Sequence, residues 1–303
     1  MAAWKTIILS QPATVSVRSG AIVIKTDDEL LSFSCEDLAT IVIENPAVTL
    51  TASVLRICGE GGIAILSCDE RHLPTTISLP LAGHWKQASI TLAQLSCPLR
   101  IKNALWMRIV RAKIRNQAAV AQSERGRRII AAIAARPRWS PDVAEGRAAR
   151  VYWSTVGDGF RRKPGARADR VNSALDYGYA ILLGMVAREI VGAGLVPYVG
   201  LHHLGRTNDF NLAADLMEPY RPVVDRVVFE MERGETATLT KADRTRLLKL
   251  RSEQAVMDAT PHALSECIRL TAVSLREAIA SADPSLLVLP AMIHGDHVDP
   301  GAV

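Results

Sequence analysis

The stretch from Ala174 to Val191, ALDYGYAILLGMVAREIV, decides the fold. From Tyr177 to Ala187 it has no charge on any helical face, so a helix here must be enclosed on all sides. Asn172-Ser173 offers a cap in front, and Gly192 and Gly194 stop the helix behind. The uncharged run is about half a membrane span. It therefore reads as the central helix of a helical domain rather than as a membrane segment.

Helical patterning continues outward from this segment. Upstream, Leu105, Ile109 and Ala112 recur at helical spacing, and Ala118 to Ala135 has high helix propensity. The connection FRRKPGARADR, from Phe160 to Arg170, is cationic and rich in breakers, as an exposed loop would be. Pro74 to Pro80 marks a boundary. Before it, WKTIILS, TVSVRSG, AIVIKTD, LLSFSCED and ATIVIEN are short β-branched runs separated by Pro12, Gly20 and Asn45-Pro46. A helix is predicted over Val48–Cys58, ending at Gly59, followed by a buried strand in GIAILSCD. The Gly59–Gly62 run leaves a helix and enters a strand, the reverse of a phosphate loop. The predicted class is α+β. Residues 1–84 form a small β-rich, sandwich-like domain with one helix, and residues 85–303 a larger all-α domain that carries the chemistry.

At 303 residues, 49% hydrophobic and 22% charged, the chain has the balance of an ordinary globule that needs no staple. Its five cysteines contain no CxxC pair, which argues for a reducing compartment and against a zinc ribbon or disulfide scaffold. The apolar run in MAAWKTIILS is too short for a secretory signal, so a cytoplasmic protein is expected, with no membrane partner. The net charge of +5 conceals an asymmetry. Residues 1–80 carry five basic and nine acidic residues, whereas Arg100 to Arg138 carries eleven basic residues against Glu124 alone. Such a stripe is either a nucleic-acid footprint or a solvated helix face.

The chemistry concentrates in Leu201–Asp225, LHHLGRTNDFNLAADLMEPYRPVVD. Asp215 and Glu218, at i and i+3, share a helical face and can address one ion or one phosphate. The alternative is an exposed acidic pair matched by Arg221. Pro219 and Pro222 should kink the helix beside them. His203 is either a ligand or a satisfied core histidine, and its neighbour His202 should diverge from it. Glu145, in PDVAEGRAARVYW, is either a ligand or a charge complementing a helix N-terminus. Imidazole plus carboxylate suits Mg²⁺ or Mn²⁺. A rival set, His294, Asp296 and His297, lies near the C-terminus. No Walker loop, HExxH or GxSxG elbow is present.

Taken in order, EGRAARVYW, VNSALDYGYAILLGMVAREIVGAGLVPYVGLHH and NLAADLMEPYRPVVD resemble the CRISPR-associated integrase-endonuclease of spacer acquisition, the first of the two universal adaptation subunits of this antiviral defence. The resemblance runs over nearly the whole chain, and DLMEPYRPVVDRVV is closest to the type II-like subgroup. It implies a metal triad of Glu145, His203 and Glu218, with Asp215 supporting it. It further implies insertion of short foreign DNA into a repeat array, by attack of a 3′-hydroxyl on a phosphodiester, and hydrolysis of DNA by the same displacement. Partners implied are double-stranded and splayed-end DNA, a second copy through the N-terminal domain, and the small second adaptation subunit in a heterohexamer. Arg108, Arg111, Arg115, Arg147, Arg161, Arg162 and Lys163 would then meet DNA phosphates. Trp106, Trp139, Tyr152 and Trp153 would either stack on splayed bases or pack in the core. The rival functions are a non-catalytic DNA-binding scaffold and a general metal-dependent repair nuclease.

Overall fold

The computed structural model describes residues 5–70, 72, 74–81, 83–136, 140–156, 160–165, 169–203, 205, 208–231 and 238–292. The chain separates into two compact units, Met1–Gln87 and Ala88–Val303.

The first unit is built on the β-branched runs. Strands β1 (Lys5–Leu9), β2 (Thr14–Arg18), β3 (Ala21–Lys25), β4 (Leu30–Ser34), β5 (Leu38–Ile43), β6 (Thr49–Leu50), β7 (Ala64–Cys68) and β8 (Pro74–Ser78) form two four-stranded sheets, ordered β1-β5-β7-β8 and β4-β3-β2-β6. Ser19 and Gly20, both at positive φ, close the β2–β3 hairpin, as a two-residue turn matched to strand twist requires. Ile7, Val15, Ile22, Leu38, Ile41 and Ile65 from both sheets share one core with Val54 and Cys58 of helix α1 (Ala52–Gly61). That helix starts later than expected because Thr49–Leu50 pairs with β2. It also runs past Gly59, and Gly62, at φ 64°, is the left-handed cap. The boundary prolines include an edge strand, β8, where Pro74 forfeits no ladder bond that a central strand would need.

The second unit is mostly helical. It contains α2 (Gln87–Leu95), α3 (Leu99–Val120), α4 (Glu124–Ala134), α5 (Pro141–Trp153), α6 (Arg170–Gly192), α7 (Asn211–Met217), α8 (Arg221–Glu230), α9 (Lys241–Leu248) and α10 (Leu264–Ala280). One hairpin, β9 (Gln254–Met257) with β10 (Thr260–Ala263), interrupts what was expected to be all helix. Helix α6 is the predicted central helix, with Leu175, Leu182, Val186, Ala187 and Ile190 fully enclosed. Its cap is not Asn172-Ser173 but Asp169, whose carboxylate accepts the Asn172 amide, so the helix begins a turn earlier. Gly178 lets α6 approach α8 closely. A Cβ there would sit 2.5 Å from Val224 Cγ1. No helix among the described residues is long and apolar enough to cross a membrane.

Candidate functional site

Helix α3 supplies the base of the site. Leu105 and Ile109 bury one stripe, and the next positions on it are Lys113, Asn116 and Gln117, polar yet buried. A buried lysine needs partners, and Lys113 has two. Its Nζ lies 2.5 Å from Glu145 Oε1 on α5 and 2.5 Å from Glu218 Oε2. Those two oxygens are therefore within twice that distance of each other. Burial opposes the Lys113 charge, but Glu218 and Glu145 outweigh it and hold its pKa above the ordinary range. Burial likewise pushes Glu218 up, yet Lys113 and Arg221 prevail and hold it below the ordinary carboxylate value.

Glu218 opens a single 3₁₀ turn, Glu218–Tyr220, between α7 and α8, with Pro219 next to it. The prolines thus tighten the helix locally rather than end it, and the turn aims Glu218 inward. Arg221 Nε touches Glu218 Oε1 at 2.9 Å, and its guanidinium lies 4.8 Å from the centre of the buried Tyr179 ring. The exposed acidic pair is thereby ruled out, since Asp215 is 0% and Glu218 5% exposed.

Asp215 is saturated. Its Oδ2 accepts the amides of Leu201 (2.7 Å) and His202 (3.0 Å), and its Oδ1 meets the amide and Nδ1 of His203 at 3.2 and 2.5 Å. With both oxygens engaged it orients rather than ligates. A carboxylate on Nδ1 leaves Nε2 as the free, basic nitrogen. The same bond, against partial burial, holds the His203 pKa above its usual range, with the Glu218 and Glu145 charges adding to it. The His203 imidazole thus feels both glutamates. Only glycine fits at position 200: a Cβ there would lie 2.2 Å from His203 O and 3.0 Å from Asp215 Oδ2. His202 does not diverge from its neighbour: its ring stacks on Trp106, centres 4.4 Å apart and nearly parallel, and meets the His203 ring edge to face at 5.5 Å.

Two carboxylates and one imidazole are the donor set of a hard or borderline divalent ion, and these carboxylates already grip a cation. The set fits such an ion in kind. Among the described residues, however, no three His, Cys, Asp or Glu side chains are grouped closely enough to hold an ion as they stand. The ammonium of Lys113 is wedged between the two glutamates.

The residues expected to meet DNA fall into two groups. Arg115, Arg147, Arg161 and Lys163 are exposed. Arg108, also exposed, donates to the carbonyls of Ser285 and Leu287, Arg111 donates to that of Arg136, and Arg162 binds Asn172 and Asp176. Trp106 and Tyr152 are core residues. Trp139, Arg138, residues 166–168 and the rival set His294, Asp296 and His297 lie outside the described residues. In the sequence Lys113 is one more charge of the basic stripe, and nothing nearby names its two glutamate partners. The available signal was a charge at i+4 from Ile109 on the buried face. None of the five cysteines forms a disulfide, and burial pushes the Cys267 thiol up to about 12.

Residues 6–259 match the family described as CRISPR associated protein Cas1. The CRISPR-associated endonuclease Cas1 of Neisseria meningitidis serogroup C (strain 8013) is 32% identical over 299 residues, spanning 96% of this chain and 97% of its own. A casposase bound to integration product has the same fold, with TM-score 0.72 at 20% identity over 92% of this chain and 91% of that one. So does a Cas6-RT-Cas1–Cas2 complex, with TM-score 0.74 at 18% identity over 97% of this chain and 36% of that one. Family match and Neisseria relative both span most of the sequence, and the chain belongs to the Cas1 family of CRISPR-associated proteins.

Proposed function

We propose that this protein is a metal-dependent DNA endonuclease and integrase that inserts short foreign DNA into a CRISPR repeat array. The observation that carries this reading is the pairing of two cation-gripping glutamates from different helices with a histidine whose Nδ1 is pinned by a saturated carboxylate. Glu145, Glu218 and His203 Nε2 would hold Mg²⁺ or Mn²⁺. Bound there, the ion supplies Lewis acidity to the scissile phosphate and lowers the pKa of the attacking hydroxyl.

The chain's own residues do the rest. Asp215 fixes the His203 ring, and Arg221, held against Tyr179, fixes Glu218. Arg115, Arg147, Arg161 and Lys163 are free to track backbone phosphates. With a 3′-hydroxyl as nucleophile the displacement joins strands, and with water it cuts. The Neisseria relative's name, the casposase and the Cas1–Cas2 assembly support a DNA substrate and a small second adaptation subunit. By the same reading, two copies pair through the first unit and assemble with that subunit into a heterohexamer.

The test is half-site integration of a short duplex into a plasmid carrying a leader and repeat. Glu145→Ala and His203→Ala should each lower Mn²⁺-dependent joining by at least about 10²-fold with DNA binding retained. Unchanged joining would reject the triad and favour a scaffold. Cleavage without preference for the leader end would favour a repair nuclease.

A further inference from the structure

We propose that Lys113 is a built-in competitor of the divalent ion, a side chain that weakens metal binding and sets the ion concentration at which the site loads. This rests on the reading of Glu145, His203 and Glu218 as ligands. Glu218 has cationic neighbours on both oxygens, Arg221 on Oε1 and Lys113 on Oε2. Arg221 is not the one to yield, since its planar guanidinium is packed over the Tyr179 ring. Lys113 is the movable partner. Its ammonium sits on a flexible four-carbon stem, and Glu218 Oε2 lies off the line of a good hydrogen bond despite the 2.5 Å contact.

A divalent ion binds carboxylate oxygens at about 2.0–2.6 Å. An ammonium at 2.5 Å from those same oxygens would then lie within a few ångströms of a doubly charged cation. Repulsion in a site with Lys113 10% exposed is poorly screened. The ammonium must therefore withdraw from at least one glutamate when the ion enters. The work of that withdrawal is subtracted from metal affinity. In exchange, the lysine keeps two facing carboxylates together, whose mutual repulsion would otherwise splay α5 from the Glu218 turn.

The experiment measures Mn²⁺ binding to the full chain, freed of metal with chelator, by calorimetry and by the electron paramagnetic resonance signal of free Mn²⁺. Thermal melting is recorded with and without the ion. Lys113→Met should tighten Mn²⁺ binding by about tenfold or more. Its melting temperature without Mn²⁺ should fall, and the rise on adding Mn²⁺ should exceed that of the wild type. Lys113→Gln, which keeps a donor and removes only the charge, should tighten binding in the same direction if Lys113→Met fails to fold. A folded neutral variant that binds Mn²⁺ no more tightly than wild type overturns the proposal. His203→Ala separates the two levels of inference. If it weakens Mn²⁺ binding while the Lys113 variants fail to tighten it, the lysine proposal alone falls. If the wild type shows no binding that His203→Ala weakens, the metal triad falls and takes the proposal with it.

Discussion

Asp215 shows how much of this site depends on one fully buried side chain. Four contacts converge on it, three from consecutive backbone amides and one from the His203 ring. Asp215→Asn keeps the size but turns an amide NH₂ toward donors, so one or more of those bonds is replaced by repulsion. The expected result is Mn²⁺ binding weakened by about 10–100-fold, read by calorimetry, with Glu145 and Glu218 intact. A second buried carboxylate behaves differently. Burial, partly offset by hydroxyls of Tyr179 and Tyr152, pushes Asp225 up from 3.8 to about 6. Its folded-state value lies above the unfolded one, so the native state holds the proton more tightly. Its contribution is complete below about pH 4 and lost as pH rises through about 6, on the order of 3 kcal/mol. Asp225→Asn cannot ionise. Urea unfolding at pH 4, 5, 6 and 7 should show the variant gaining on wild type across that window, and a constant difference would contradict the burial account.

Between elements, Asn116 ties the C-terminal segment to the turn that carries Glu218. Its amide donates to the carbonyls of Pro219 (2.7 Å) and Pro290 (3.0 Å), and its oxygen accepts the Met292 amide at 3.1 Å. Asn116→Ala strands three buried backbone groups, each worth about 1–3 kcal/mol when unsatisfied. A loss of about 3 kcal/mol or more in urea unfolding is expected, where an exposed helix position would lose almost nothing. Such a residue also marks where the sequence was legible and where it was not. The strands of the first unit announce themselves as β-branched runs, and α6 as a stretch without charge. Those signals are local, and tertiary packing agrees with them. The row Lys113, Asn116 and Gln117 is different, because its partners come from α5, the Glu218 turn and the C-terminal segment, and no local pattern specifies them. The β9–β10 hairpin was missed for another reason. Its turn residues, Asp258 and Ala259, take positive φ of 47° and 62°, so the glycine or asparagine that usually signals such a turn is absent. The proposed ligands Glu145, His203 and Glu218 are individually ambiguous in the sequence. Only the family motif order separated them from a helix-end charge, a core histidine and a surface ion pair.

For the molecule as a whole, the uneven distribution of charge has a measurable consequence. The first 80 residues carry an acidic excess and the remainder a basic one, so DNA attraction should depend on where a charge sits and not only on the net total. Each phosphate neutralised contributes roughly 0.9 to the slope of log K against log salt. Arg161 and Lys163 are exposed on the cationic connection before α6, and Arg18 and Lys25 are exposed in the first unit. The pairs Arg161→Gln/Lys163→Gln and Arg18→Gln/Lys25→Gln remove the same net charge. If the connection before α6 tracks the backbone, the first pair should flatten the salt slope by roughly 1.8. The second pair should leave it unchanged. Fluorescence anisotropy with a short splayed-end duplex between 50 and 200 mM salt measures both. Equal effects would mean that attraction follows net charge alone, and the connection would then lose its assignment as a DNA contact.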